Sequence, residues 1–346
     1  MSSLGRPAHS TGGRSRLLIV LVVLVAGVAC SSGGDDPAVA PPTAAPAPTQ
    51  PPEPPVTFGL WGDMPYTDET EPKVGAMIAE MNAADLAFSV FDGDIKGGGP
   101  CADRVYADAL ARFNSLAAPL VYVPGDNEWT DCLGSADPLE RLGHLRRVLC
   151  AGDRSLGRRT MPLERQSREY PEHTRWRAGG VVFVGLHVVG SNNGKVTDPN
   201  DVRSAAQRAA ANAEHQGRDA AVRAWMRDSF DMAIRDRAAG VMLVIQANPG
   251  FDVVSADDRA GQQLDGFDAF LDALRAETVR FAKPVALVHG DTHRYRLDHP
   301  LLERSGAPIP NLVRLETWGH PFVSWVKATV DASDPAVFRF EPQRFY

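Results

Sequence analysis

The sequence predicts an α/β domain whose first half is a parallel sheet wound with helices and whose last part is β-rich. Three observations carry this. From residue 56 onward, apolar runs alternate with amphipathic segments of helix length. Four of the runs end on a Gly-Asp pair, at 62, 93, 125 and 290. The last three runs follow one another with no helical segment between them.

In order, an apolar run at 56–61 leads to a helix near 71–84, a run at 86–91 to a helix near 103–116, and a run at 119–123 closes this alternation. Strands separated by helices of that length pair in parallel through crossovers. A polar, Arg-rich region at 137–178 follows. "GVVFVGLHVV" reads as the next strand, and a long helix follows in which Val222, Trp225, Met226, Phe230 and Ile234 share one face. That face is core packing. "GVMLVIQANPGF" is a strand ending at Asn248 and Pro249, 265–281 is an amphipathic helix, and "VALVHGDTHRY" is a further strand. The closing runs "NLVRLETWG", "FVSWVKATVD" and "VFRFEP" read as an antiparallel set on the far side of a second sheet.

Three segments divide the chain. Residues 1–29 read as a lipoprotein-type signal peptide: Arg14 and Arg16 precede "LLIVLVVLVAGVA", and small residues lead to Cys30. The apolar run is short for a membrane span of about 20 residues. Processing before Cys30 would place a lipidated cysteine at the new N-terminus and hold the protein to a membrane; ordinary secretion is the alternative. Residues 30–55 are a Pro/Ala-rich disordered tether, with nine prolines between Pro37 and Pro55, too poor in apolar surface to fold. Residues 56–346 are the folded domain. Export puts this domain at the outer face of the cell membrane or in the envelope, where disulfides persist. Of its three cysteines, Cys101 and Cys132 are expected to pair because each closely follows a Gly-Asp loop. A formal charge of -7 and a pI near 5.7 argue against nucleic acid as a partner.

The Gly-Asp pairs carry the chemistry. In open α/β sheets, loops leaving the carboxyl ends of the strands converge on one rim, where ligands bind. Asp63, Asp94, Asp126 and Asp291 each enter such a loop behind a glycine. Carboxylates gathered at one point repel unless a positive charge lies among them. Divalent metal supplies that charge, and two ions sharing one Asp would suit phosphoester hydrolysis. A serine hydrolase is disfavoured, because no GxSxG elbow is present.

The ordered set GD at 62, GDIKGG at 93, GDNE at 125 and GDTH at 290 resembles the calcineurin-like metallophosphoesterases, with their DxH, GDxxxxG, GNH and GHxH motifs. The resemblance spans about 56–330 and implies a four-layer α-β-β-α sandwich, two facing mixed β-sheets flanked by helices, with two metals on the rim. It assigns Asp63 to the first metal, Asp94 to both, Asp126 to the second, and Asp291 and His293 to the two histidine positions of GHxH. The remaining family histidine maps within QANP, to Gln246 or Asn248. Pro65 stands where DxH has its histidine, and Asn127 stands where the family keeps a catalytic one.

Oxygen donors with a single imidazole favour Mg, Mn or Ca over Zn or Fe. Asn127, His187 and Lys96 are the candidate catalytic residues, His187 as a strand-end imidazole replacing the lost general acid and Lys96 as a charge on phosphate. Glu128, Trp129, Arg294 and His320 are neighbours on the same loops. The expected function is slow metal-dependent hydrolysis of a small or surface phosphorylated compound. The alternative is a catalytically impaired lipoprotein of the same fold that binds or scaffolds.

Overall fold

Along the first strand, β1 (Val56–Trp61), side chains alternate between two buried surfaces, which explains why its apolar run is continuous rather than alternating. Phe58 and Leu60 face a second sheet, whereas Trp61 faces helices. The computed structural model describes residues 53–198 and 200–346. The signal segment, Cys30 and the tether up to residue 52 lie outside the described residues.

The first sheet runs β12-β11-β1-β2-β3. Here β2 (Ser89–Phe91) and β3 (Leu120–Tyr122) are parallel to β1, while β11 (Val326–Val330) and β12 (Phe338–Pro342) are antiparallel additions. Helices α1 (Glu71–Ala83), α2 (Asp103–Phe113) and α3 (Pro138–Leu149) cover its outer face, packing Met77, Phe113 and Leu145 on Trp61, Phe91 and Tyr122.

The second sheet runs β4-β5-β6-β7-β8-β10-β9. Its parallel centre is β6 (Val181–Gly185), β7 (Gly240–Val244), β8 (Val285–His289) and β10 (Leu312–Glu316). Antiparallel β5 (Thr174–Ala178) and β4 (Glu164–Arg165) extend one edge, and β9 (Arg296–Asp298) the other. A four-residue turn α4 (Gly190–Asn193) and the short helix α6 (Ala256–Gly261) lie in the loops. The long helix α5 (Ala205–Arg235) and α7 (Asp268–Phe281) cover the outer face through Val222, Met226, Phe230, Phe270 and Leu274. Between the sheets, Phe58, Leu60, Phe88 and Val90 meet Phe183, Met242, Val244 and Val288; Phe58 and Phe183 cross edge to face at 5.3 Å. The four-layer α-β-β-α sandwich is thus present, with two mixed sheets.

The Arg-rich region at 137–178 contains α3, β4 and β5, and its arginines pair with acids, Arg146 with the buried Glu172 and the buried Arg175 with the exposed Glu164. Two expectations need correction. The run at 312–316 is not part of an antiparallel set with its successors. It lies parallel to β8 in the second sheet, and only β11 and β12 return to the first. Ile234 lies near the end of α5 and is 42% exposed, although Val222, Met226 and Phe230 are buried as its period demands.

Cys101 and Cys132 form a disulfide with Cα atoms 5.6 Å apart, and Cys150 is a buried free thiol. The bridge ties the segment after the Asp94 loop to the segment after the Asp126 loop across a sequence separation of 31. In the chain-entropy account, a closed loop of this size stabilises the fold by about 3 to 4 kcal/mol. A Cys101→Ser/Cys132→Ser variant is therefore expected to lose about that much in urea denaturation at pH 7. A loss under 1 kcal/mol would show that the two loops are held by packing alone.

Candidate functional site

The carboxyl ends of β1, β2, β3, β7 and β8 open onto one rim, and hydrogen bonds there run both within and between the sheets. Asp63 follows β1; its Oδ2 accepts from the backbone N–H of Asp291, after β8, at 3.0 Å. Asp126 follows β3; its Oδ1 accepts from Gln246 Nε2, after β7, at 3.1 Å, and its Oδ2 from Ser191 Oγ at 2.8 Å. Asp94 follows β2 and accepts from the backbone N–H and side-chain amide of Asn127 at 3.1 and 2.6 Å. Asp291 Oδ2 accepts from the Asn248 N–H at 2.8 Å. Residues following six strands, β1, β2, β3, β6, β7 and β8, are thus brought together.

Glycine is required beside these carboxylates for want of space. A Cβ on Gly290 would lie 1.9 Å from Asp63 Oδ2, one on Gly125 2.0 Å from Asp94 Oδ1, and one on Gly190 2.6 Å from Asp126 Oδ2. The backbone is also bent into the left-handed region at Asp63, Asp94, Asp291 and His293, with φ of 51, 63, 76 and 60°. Non-glycine residues avoid that region, and such strain concentrates at functional sites.

Neighbouring groups fix the orientation of the site. His293 Nδ1 donates to the carbonyl oxygen of His320 at 2.6 Å, which turns Nε2 toward Asp63 Oδ1 at 3.6 Å. Glu128 is fully buried; its Oε1 accepts from the N–H groups of Asp94 and Gly125 and from Tyr122 Oη, so it joins the second and third loops. Gln246 Oε1 accepts from the Gly190 N–H while its amide holds Asp126.

The charge balance is unusual. Asp63, Asp94 and Asp126 are 0, 2 and 7% exposed. Among the described residues no ion pair joins a lysine or arginine to any of the four rim aspartates; His293 is the single basic partner, to Asp63. Of the other fully buried acids, Glu172 binds Arg146 and Glu316 binds Arg296, each at 2.5 Å, whereas Asp92 and Glu128 have no ion-pair partner among the described residues. Burial, reinforced by Asp126 and Glu128, holds the Asp94 carboxyl well above the usual range. Burial with Asp131 and Asp291 nearby pushes Asp126 up to about 8, and burial with Asp63 nearby pushes Asp291 up to about 7. Hard oxygen donors forced to hold protons at neutral pH for lack of a counter-charge suit a divalent cation.

Other candidates lie differently. His187 does not reach the rim: it is completely buried, and its Nδ1 pairs with Glu172 at 2.9 Å. The neighbouring Glu172–Arg146 ion pair, available only once 137–178 folds, explains why a strand-end imidazole turns inward. Among the described residues, Glu172, His173 and His187 are the one group of three acidic or imidazole side chains with ligand atoms all within 4.8 Å of one another, although Arg146 already binds both Glu172 oxygens; no three of the rim aspartates and His293 come that close. Asn248 contributes its N–H to Asp291, while its side-chain oxygen accepts from the Gly250 N–H, so the oxygen is turned to its own loop. Lys96 Nζ donates to the Gly97 carbonyl at 2.6 Å. Asn127 faces Asp94 rather than the cleft.

Two functional candidates escaped sequence reasoning. Tyr66 lies inside the GDMPY stretch, but its hydroxyl was not a family ligand to look for. Ser191 sits in a left-handed turn, with φ of 50, 55 and 56° at 191 to 193; the only signal was "GSNNG" itself. Beside the rim is a cleft of about 370 Å³ lined by Ser191, Asn248, Gln263, Phe267 and Asp291.

No protein-family model matches the chain, and no curated protein matches it in sequence. Among solved structures it is similar to a dimetal phosphatase from Danio rerio, with a TM-score of 0.50 at 12% identity, covering 84% of this chain and 96% of that one. It also aligns with GAP50, the anchor in the inner membrane complex of Plasmodium, with a TM-score of 0.41 at 10% identity over 84% and 89%. At such identities the first likeness shows a metallophosphoesterase-like fold alone.

The rim sets a pH dependence. Raised carboxyl values mean that the folded state binds more protons than the unfolded one, so stability is lost as pH rises toward those values. In chelator, unfolding free energy is expected to fall between pH 6.5 and 8, by up to about 1.4 kcal/mol per pH unit for each proton retained. Excess Mn²⁺ should abolish the fall. A chelated protein whose stability is flat over that window would contradict the charge balance described here.

Proposed function

We propose that the protein is a cation-dependent phosphoester hydrolase, exported and tethered at the outer face of the membrane through Cys30 and residues 30–55. The observation that supports this reading is the convergence of Asp63, Asp94, Asp126 and Asp291 without an ammonium or guanidinium partner.

The donor set suits two cations. Asp63, Asp94 and His293 would hold one; Asp94, Asp126 and Asp291 would hold the other, with Gln246 positioning Asp126. Bound there, the ions would supply an activated water and neutralise charge on the phosphoryl oxygens. The chain's own residues do the rest of the positioning. Glu128 keeps the Asp94 and Asp126 loops together, and the His320 carbonyl keeps His293 Nε2 facing Asp63. Asn127 orients Asp94 and, having no imidazole, gives the leaving group no proton at the family's usual position. The His320 ring stacks on Tyr66 with centroids 5.3 Å apart. Hydrolysis is accordingly expected to be slow.

One observation favours a second reading, a protein that binds phosphorylated ligands without cleaving them: the Asn127 amide is committed to Asp94 at 2.6 Å. Elemental analysis and turnover of p-nitrophenyl phosphate and its bis ester, with Mg²⁺, Mn²⁺ or Ca²⁺, decide between the two. Wild type is expected to carry metal and turn over, and Asp94→Asn to lose metal affinity at least about 10-fold together with turnover. Metal without turnover would establish the binding reading. A wild type free of metal under all three conditions would end both.

A further inference from the structure

A second cavity, of about 280 Å³, lies beside the rim, between the segment after β3, the loop joining α4 to α5 and the first turns of α5. Ser191 and Gln263 line both this cavity and the cleft at Asp291, so the two spaces share a wall. Ser191 Oγ lies 2.8 Å from Asp126 Oδ2 on the rim and 2.8 Å from Asp131 Oδ1 on the cavity. A ligand seated at Asp126 has only one side chain to pass. We propose that this cavity takes the alcohol part of the phosphoester, and that this part is a short alkyl chain bearing an ammonium group. The inference rests on the preceding reading, which puts the phosphoryl group at the rim, and specifies the substrate class.

Three features carry it. The first is an imbalance of charge. Both cationic residues of the lining are already paired, Lys195 with Asp265 at 2.6 Å and Arg203 with Asp201 at 3.1 Å. Asp131, Asp137 and Asp198 have no ion-pair partner among the described residues. Hydrogen bonds reach only Oδ1 of each, from the Ser191 and Thr130 hydroxyls, the Leu139 N–H and the Asn200 N–H, which leaves Oδ2 open on all three. An ammonium gains from these carboxylates, whereas an anion is repelled by them.

The second feature is the remainder of the lining. Trp129, Leu133, Val196 and Ala211 give it apolar walls, which suit methylene groups and would be left unused by a bare ion. Third, Trp129 is 3% exposed, and its indole N–H has no acceptor among the described residues. Buried donors are rarely left so, and an oxygen of a ligand in the cavity supplies the acceptor. The span is short as well. Asp126 and Asp131 are bridged through Ser191 by two hydrogen bonds, about the reach of a two-carbon chain between phosphorus and nitrogen. Opposite charges at the two ends of one ligand then meet opposite surfaces, which gives selectivity against neutral and anionic alcohols.

Titration calorimetry in Mn²⁺ at pH 7 with 2-aminoethylphosphonate and ethylphosphonate, whose C–P bonds resist hydrolysis, tests this. Wild type is expected to bind the amine at least about 10-fold more tightly, with the preference shrinking as NaCl is raised. Asp131→Asn/Asp198→Asn, which keeps side-chain shape and the Oδ1 acceptors, is expected to bind the two ligands alike. Asp85→Asn/Asp108→Asn removes the same charge from exposed positions outside the cavity and should keep the preference. Equal binding by wild type, a preference that survives Asp131→Asn/Asp198→Asn, or one that is lost in the control variant overturns the inference and leaves the rim reading standing. Failure of wild type to bind either phosphonate overturns both. If Asp131→Asn/Asp198→Asn misfolds, the wild-type comparison and its salt dependence decide alone.

Discussion

Burying a carboxylate without a partner is costly, and this protein does so repeatedly at one place. The buried Glu172 and Glu316 by contrast have guanidinium partners, while Asp92 and Glu128, also fully buried, have none among the described residues. A fold rich in arginine that withholds it from Asp63, Asp94, Asp126 and Asp291 leaves a local deficit of positive charge. That deficit organises the rim. It explains the dense hydrogen bonding to backbone N–H groups and the raised carboxyl values.

The two-sheet architecture makes such a concentration possible. Asp63 and Asp94 belong to the first sheet and Asp291 to the second, and the sheets meet face to face through the Phe58, Phe88 and Phe183 cluster. With the sheets held together, the Asp291 N–H to Asp63 and the Gln246 amide to Asp126 become short contacts between chain segments remote in sequence. The disulfide and Glu128 perform the corresponding task within the first sheet. Left-handed backbone at four site residues is tolerated because glycines next to the carboxylates leave the room it needs.

Much of this was legible in the sequence, for identifiable reasons. Continuous apolar runs mark strands covered on both faces, and Gly-Asp at their ends marks the rim, so β1, β2, β3 and β8 and the acids after them could be read directly. The disulfide was legible because both cysteines follow loops of adjacent strands. What stayed hidden depended on tertiary partners. His187 turns inward because Glu172 and Arg146, far away in the Arg-rich region, meet it there. The strand at 312–316 joins the second sheet through a crossover that no local period records. Tyr66 was unreadable as a candidate because its hydroxyl meets Asp94 and His293 only once the loops after β1, β2 and β8 fold together.

The most direct test is a crystal structure of the protein grown with Mn²⁺, with anomalous diffraction recorded at the manganese edge. The account expects anomalous peaks on the rim, with Asp94 bonded to them and Asp63, Asp126, Asp291 and His293 around them. Peaks confined to Glu172, His173 and His187, or none at all with the four aspartates unshifted, would contradict it.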